Sequence, residues 1–232
     1  MIARWTGAHE PVDVSRLERR LPAVLSVIAG MVDAIGFLSL GLFTAHVTGN
    51  LVIIAALLLR GGPPHLAQIL AVPVFMLAVA AAWLIAKASD RQGPALLRPL
   101  LLVQFLLLGG VLILSVFSES AANPHGFLAG LTAMVAVSAM GCQFGLLRLA
   151  VTGAPSTAAM TGNLTNTVLA LLDTLSRTRP LTEGSNERLQ RTLKVLAGFF
   201  AGCVAGAAAV SLLGDWAWSL PVLLAAAAVA LR

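Results

Sequence analysis

The residues best suited to chemistry are Asp33, His46 and two copies of one tetrapeptide. Residues 44–51 read T-A-H-V-T-G-N-L, and residues 157–164 read T-A-A-M-T-G-N-L. Asp33 is the one carboxylate well inside a long apolar run, which extends from Leu21 to about Phe43. An ionisable group in such a place is costly unless it faces a bundle interior or a wet cavity. It suits a proton, a cation or a polar solute; the plainer alternative is a structural hydrogen bond to Arg148 or to a loop amide. His46 adds a side chain of the type that changes charge between pH 5 and 8, although the second copy has Ala159 at its counterpart. In Thr48-Gly49-Asn50 and Thr161-Gly162-Asn163, glycine allows positive φ and close backbone approach. Threonine and asparagine can cap the free N–H groups of a helix start. Two half-helices beginning there would aim their positive ends at one central region and favour an anion or polar solute. The competing reading is a packing turn between tilted full helices.

The elements that must position these residues are strongly apolar. The 232 residues are 58% hydrophobic and 11% charged, with mean hydropathy +0.91. A soluble domain has about 25% charged residues, so the composition points to an integral membrane protein built of helices. The net charge of +5 does not indicate nucleic acid, because the basic residues stand in short clusters between apolar segments. Eight such segments are visible, at about 21–41, 44–60, 66–87, 97–117, 126–149, 156–173, 192–213 and 216–231. Spanning a bilayer takes about 20 apolar residues. The second and sixth segments, which carry T-G-N-L, each look like half a span. Residues 1–20 read as a polar cytoplasmic arm rather than a signal peptide, because the apolar run that follows is too long for one.

Charge placement chooses between two topologies. With eight crossings and the N-terminus inside, Lys87, Arg91 and Arg98 fall outside, against the positive-inside rule. With six crossings and two re-entrant segments they fall inside, together with Arg177, Arg179, Arg188, Arg191, Lys194 and Arg232. Only Arg60 is then misplaced, so the expected architecture is all-α with six spans, eight being the alternative. Trp83, Trp216 and Trp218 sit where an aromatic belt is expected.

The halves share one order: long span, T-G-N segment, span, span. Repeat 1 covers 21–117 and repeat 2 covers 126–231, offset by about 112 residues within one membrane domain, 21–232. Three crossings per half would invert the second relative to the first, a plan recurrent in secondary transporters. The stretches G-M-V-D-A-I-G-F-L-S-L-G-L-F-T-A-H-V-T-G-N, G-C-Q-F-G-L-L-R and S-T-A-A-M-T-G-N-L-T resemble the YoaK family of bacterial membrane proteins, also called the DUF1275 family. The resemblance covers nearly all of the chain after residue 20. It implies a polytopic protein of the bacterial cytoplasmic membrane and no established activity. Where that family often has Asn after the glutamine of the second stretch, this chain has Phe144.

Ser26, Gly30, Asp33, Ala34, Phe37 and Gly41 share a helical face that should pack inward. Arg148 reads as an interfacial anchor, an anion contact or a partner of Asp33; Gln143 points away from its face. Gly198, Gly202 and Gly206 form a small-residue stripe suited to close helix contact, within the fold or between two copies. Cys142 and Cys203 lie in apolar segments and read as packing residues. Tyrosine is absent, and no catalytic or metal-binding motif is visible. The expected function is transport or conduction of a small polar or anionic solute, not catalysis, with no cofactor or metal. The alternative is a membrane scaffold or sensor acting through basic cytoplasmic loops, which would contact partners or anionic lipid headgroups.

Overall fold

The structure, a computed structural model, describes residues 14–62, 65–89, 93–118, 126–151, 153–157, 160–176 and 183–230, without the side chains of 14–19, 173–176, 183–186 and 188. The described residues form eight α-helices: α1 Val14–Leu40, α2 Gly49–Arg60, α3 Leu66–Ala88, α4 Leu97–Ser118, α5 Phe127–Ala150, α6 Met160–Ser176, α7 Glu183–Leu213 and α8 Ser219–Ala230. Two 3₁₀ turns, Gly93–Leu96 and Gly214–Trp218, precede α4 and α8.

Five stretches are long and apolar enough to cross a membrane: Arg20–Leu40, Leu66–Ala88, Gly93–Ser118, Phe127–Ala150 and Leu189–Ala230. They are compatible with a multi-pass membrane protein. The last has 42 residues, about 63 Å if straight and so twice the hydrocarbon core. It breaks at Gly214, whose φ of 55° belongs to the left-handed region, and α8 then packs on α4 and α1. The two T-G-N helices are shorter, α2 with 12 residues and α6 with 17, or about 18 and 26 Å. Large side chains such as Leu59, Phe117, Phe127 and Leu212 are more than 80% exposed on the outside. An exterior this apolar fits lipid rather than water.

Close backbone contact holds the bundle together. A side chain on Gly198 would meet Ala23 O, one on Gly202 would meet Val27 O, and one on Gly206 would meet Met31 O. Each four-residue step on α7 is matched by four residues on α1, so these helices run parallel. On α5, Gly141 faces Phe75 O and Ala78 while Gly145 faces Ala82, so α5 runs parallel to α3. Small residues belong at such seams because lipid supplies no hydrophobic drive and tight packing must hold the helices. The Gly198–Gly202–Gly206 stripe is packed against α1 within the chain. Gln68 Nε2 donates to Gly41 O at 3.0 Å. The start of α3 therefore lies at the end of α1, and both α3 and α5 run opposite to α1.

Three boundaries differ from expectation. α1 begins at Val14, inside the segment read as a polar arm, since arginine, leucine and glutamate extend helices readily. α7 begins at Glu183, well before residue 192, for the same reason. Trp218 is fully buried, unlike Trp83 and Trp216, so it packs the corner before α8 instead of marking an interface. Trp83 carries Lys87 Nζ 5.1 Å above its ring centroid. Residues 1–13, 119–125 and 177–182, the last with Arg177 and Arg179, lie outside the described residues, as do Arg91, Ala159 and Arg232.

Candidate functional site

After Leu40 the chain turns at Gly41, φ 71°, and doubles back along α1. Thr44 Oγ1 donates to Val32 O at 3.1 Å, about two helical turns below the end of α1. There the Asp33 carboxylate gathers the loop. Its Oδ1 accepts the backbone N–H groups of Thr44 at 2.9 Å, Ala45 at 2.7 Å and His46 at 3.3 Å, with Thr44 Oγ1 at 3.4 Å. Its Oδ2 lies 2.6 Å from His46 Nδ1. When the carboxylate is ionised it only accepts, and Nδ1 then carries the hydrogen. Three aligned amides and a histidine explain how a 4%-exposed carboxylate is tolerated in this bundle.

The T-G-N residues work differently from helix caps. Thr48 is exposed and its side chain makes no cap bond. Neither Gly49 nor Gly162 has positive φ; a side chain on Gly49 would strike the Phe43 ring at 2.8 Å. Asn50 is buried inside the first turn of α2. It clamps the incoming loop twice, accepting Phe43 N–H at 2.8 Å and donating to Phe43 O at 2.8 Å. In the second half, α6 starts at Met160, so Thr161, Gly162 and Asn163 are already helical. Asn163 Nδ2 donates to Ser156 O at 2.6 Å. In both halves the asparagine thus reaches the carbonyl seven residues earlier. Thr161 and Gly162 are exposed.

Gln143 does for the second loop part of what Asp33 does for the first. Its Nε2 donates to Leu25 O at 2.9 Å and lies 3.5 Å from Thr157 Oγ1, while its Oε1 accepts from Gln104 Nε2 at 2.7 Å. Gln104, Gln143 and Thr157 are wholly buried. Helical-face counting on α5 sets Gln143 apart from the face of Arg148 and does not reach Gln104; a lone glutamine inside an apolar span is the available signal. The Gln143→Leu variant strands the Gln104 amide and should destabilise by about 1–3 kcal/mol. Gln104→Leu/Gln143→Leu should recover most of that, since both partners then become apolar. Unfolding of the two variants in mixed micelles would show the difference.

A cavity of about 510 Å³ opens beside the first loop. Its wall includes Asp33, Phe37, Phe43 and His46 from the first half, and Met160, Phe199 and Cys203 from the second. His46 packs edge-on against Phe199 with ring centroids 4.9 Å apart, and its Nε2 is buried with no hydrogen-bond partner. Asp33 and His46 are therefore brought together, with Asn50 one step behind them through Phe43. Arg148 is not part of the group. It is exposed near the end of α5, and α5 runs opposite to α1, which puts Arg148 at the far end from Asp33. The two T-G-N segments pack on different helices, α2 on α3 and α6 on α7, while Phe43, clamped by Asn50, and Met160, next to Thr161, both reach the cavity wall. Among the described residues no group of three His, Cys, Asp or Glu could hold a metal ion.

No curated protein and no solved structure matches this chain. The sequence model of one family, described as a protein of unknown function and designated DUF1275, matches residues 21–231. That stretch contains Asp33, His46, both T-G-N segments, Gln104 and Gln143, and on it the chain belongs to the DUF1275 family.

Proposed function

We propose that this protein is a transporter for a small polar solute, with its site in the cavity beside Asp33 and His46. The observation that carries the reading is the cavity itself: both halves of the chain line it, and its wall holds a buried Asp–His pair. Transporters built from repeats place their sites in this way, between the halves and next to broken helices. Among the described residues the lining contains no Lys or Arg, which favours a neutral solute with an apolar body over an anionic one.

The same reading takes the halves as inverted repeats with six crossings, α2 and α6 being re-entrant. Its support is the antiparallel course of α1 and α5, the asparagine clamp present in both halves, and the matching seams of α1 on α7 and α5 on α3. Basic residues Lys87 and Arg98 then lie inside, in a bacterial cytoplasmic membrane with both termini inside. A cysteine at position 62, between α2 and α3, tests this in whole cells. Six spans predict labelling by an impermeant maleimide from outside, and eight spans predict labelling only after lysis.

For transport, the purified chain is reconstituted in vesicles and screened for solute flux beside Asp33→Asn and the cavity-filling Ala207→Trp. Flux in the wild type that both folded variants lose is the expected result. Absence of flux for every solute, with a partner captured tightly through the cytoplasmic loops, would favour the scaffold reading instead.

A further inference from the structure

We propose that His46 Nε2, in a ring at the wall of the cavity, is a proton-binding site, with Asp33 as its fixed counter-charge. This deepens the transport reading by naming the coupling ion; it rests on that reading for the use of the proton and not for its binding.

The argument is geometric. Asp33 Oδ2, 2.6 Å away, holds the hydrogen on Nδ1 and so fixes the tautomer. The opposite nitrogen, Nε2, is left with a lone pair, buried and unpartnered. Buried polar atoms normally find a partner, and here the ring lines the cavity, where a proton or a donor group can arrive. A proton from the aqueous phase adds to Nε2, forming one N–H bond and an imidazolium. Its charge is met by a carboxylate already seated on three backbone amides, so the counter-charge need not move. Release reverses the step, and no other bond changes.

The groups around the ring leave the role to this pair. α1 presents Asp33, α7 presents Phe199 and Cys203, α6 presents Met160, and the loop presents Phe43. Asp33 and Cys203 are the other titratable groups among the described cavity residues, and the carboxylate already accepts three backbone N–H groups through Oδ1. Protonating Asp33 at Oδ2 instead would set an O–H against the Nδ1 hydrogen and remove the charge that the loop amides face, whereas protonating Nε2 leaves both in place.

The test uses the full chain with His46 as its only histidine, made by His9→Gln, His65→Asn and His125→Gln, with ¹⁵N-labelled imidazole. Nuclear magnetic resonance across pH 5–8 should show Nε2 gaining a proton while Nδ1 keeps its own. In Asp33→Asn the same change should need at least about tenfold more acid. An imidazole that stays in one protonation state over that range overturns the proposal, and so does an unchanged titration in Asp33→Asn. Neither readout needs a solute, so failure here is separate from failure of the flux screen. If Asp33→Asn does not fold, Phe199→Leu, which alters the ring's cavity-side neighbour and leaves the carboxylate in place, should keep the titration; its loss there overturns the proposal.

Discussion

Asp33→Ala should destabilise the protein by about 3–5 kcal/mol, the range for removing one partner of a buried charged pair. The side chain does more than pair with His46. It is the acceptor for three consecutive backbone amides, of Thr44, Ala45 and His46, and each buried donor left unpaired costs about 1–3 kcal/mol. The loop can recover part of this by admitting water, so these costs do not add in full. Asp33→Asn keeps one acceptor oxygen and should lose less, about 1–2 kcal/mol. The order Ala worse than Asn is the informative outcome. Equal losses would mean that charge, and not the acceptor geometry, holds the loop. Unfolding in mixed micelles supplies the free energies. Protease cleavage between α1 and α2 in the folded state reports on the loop alone.

Gly202→Val should also be strongly damaging, for a reason unrelated to charge. The first carbon of any side chain there would run into the carbonyl of Val27 and lie 3.0 Å from the nitrogen of Met31. Backbone cannot swing aside as a side-chain tip can, so α1 and α7 must separate along the whole seam. Overpacking commonly costs about 1–3 kcal/mol and sometimes more, and a backbone obstacle belongs at the upper end. Gly130→Val is the matched control, since nothing lies within 4 Å of a carbon added at that position. Yield of folded, monodisperse protein should fall sharply for Gly202→Val and stay near wild type for Gly130→Val.

Much of this was legible from residue types alone. The helical class, the shortness of the T-G-N segments and the inward face of Asp33 follow from hydropathy and period. The T-G-N reading rested on capping by threonine and asparagine, yet Thr48 makes no cap bond and Asn50 reaches backward to Phe43 instead. That bond depends on the loop folding back, which one-dimensional spacing does not encode. Arg148 failed as a partner of Asp33 because opposite charge says nothing of distance; the opposed directions of α1 and α5 decide it. Gln143 was discarded by counting faces on one helix, whereas its partners come from α4, α1 and the second loop. The glycine stripe of α7 was recognised, but only the matching register of Ala23, Val27 and Met31 shows which helix fills it.

The seam between α1 and α7 also sets an order of assembly. The Asp33 loop is local, joining residues 33 and 46, and can close soon after α1 and α2 have been made. Gly30, by contrast, rests on Phe199 and Cys203, more than 160 residues further along the chain. At about 5–20 residues per second, the ribosome delivers that partner roughly 10–35 s later. For that interval the newborn first helix keeps the face around Gly30 open, and whatever covers it must leave when α7 arrives.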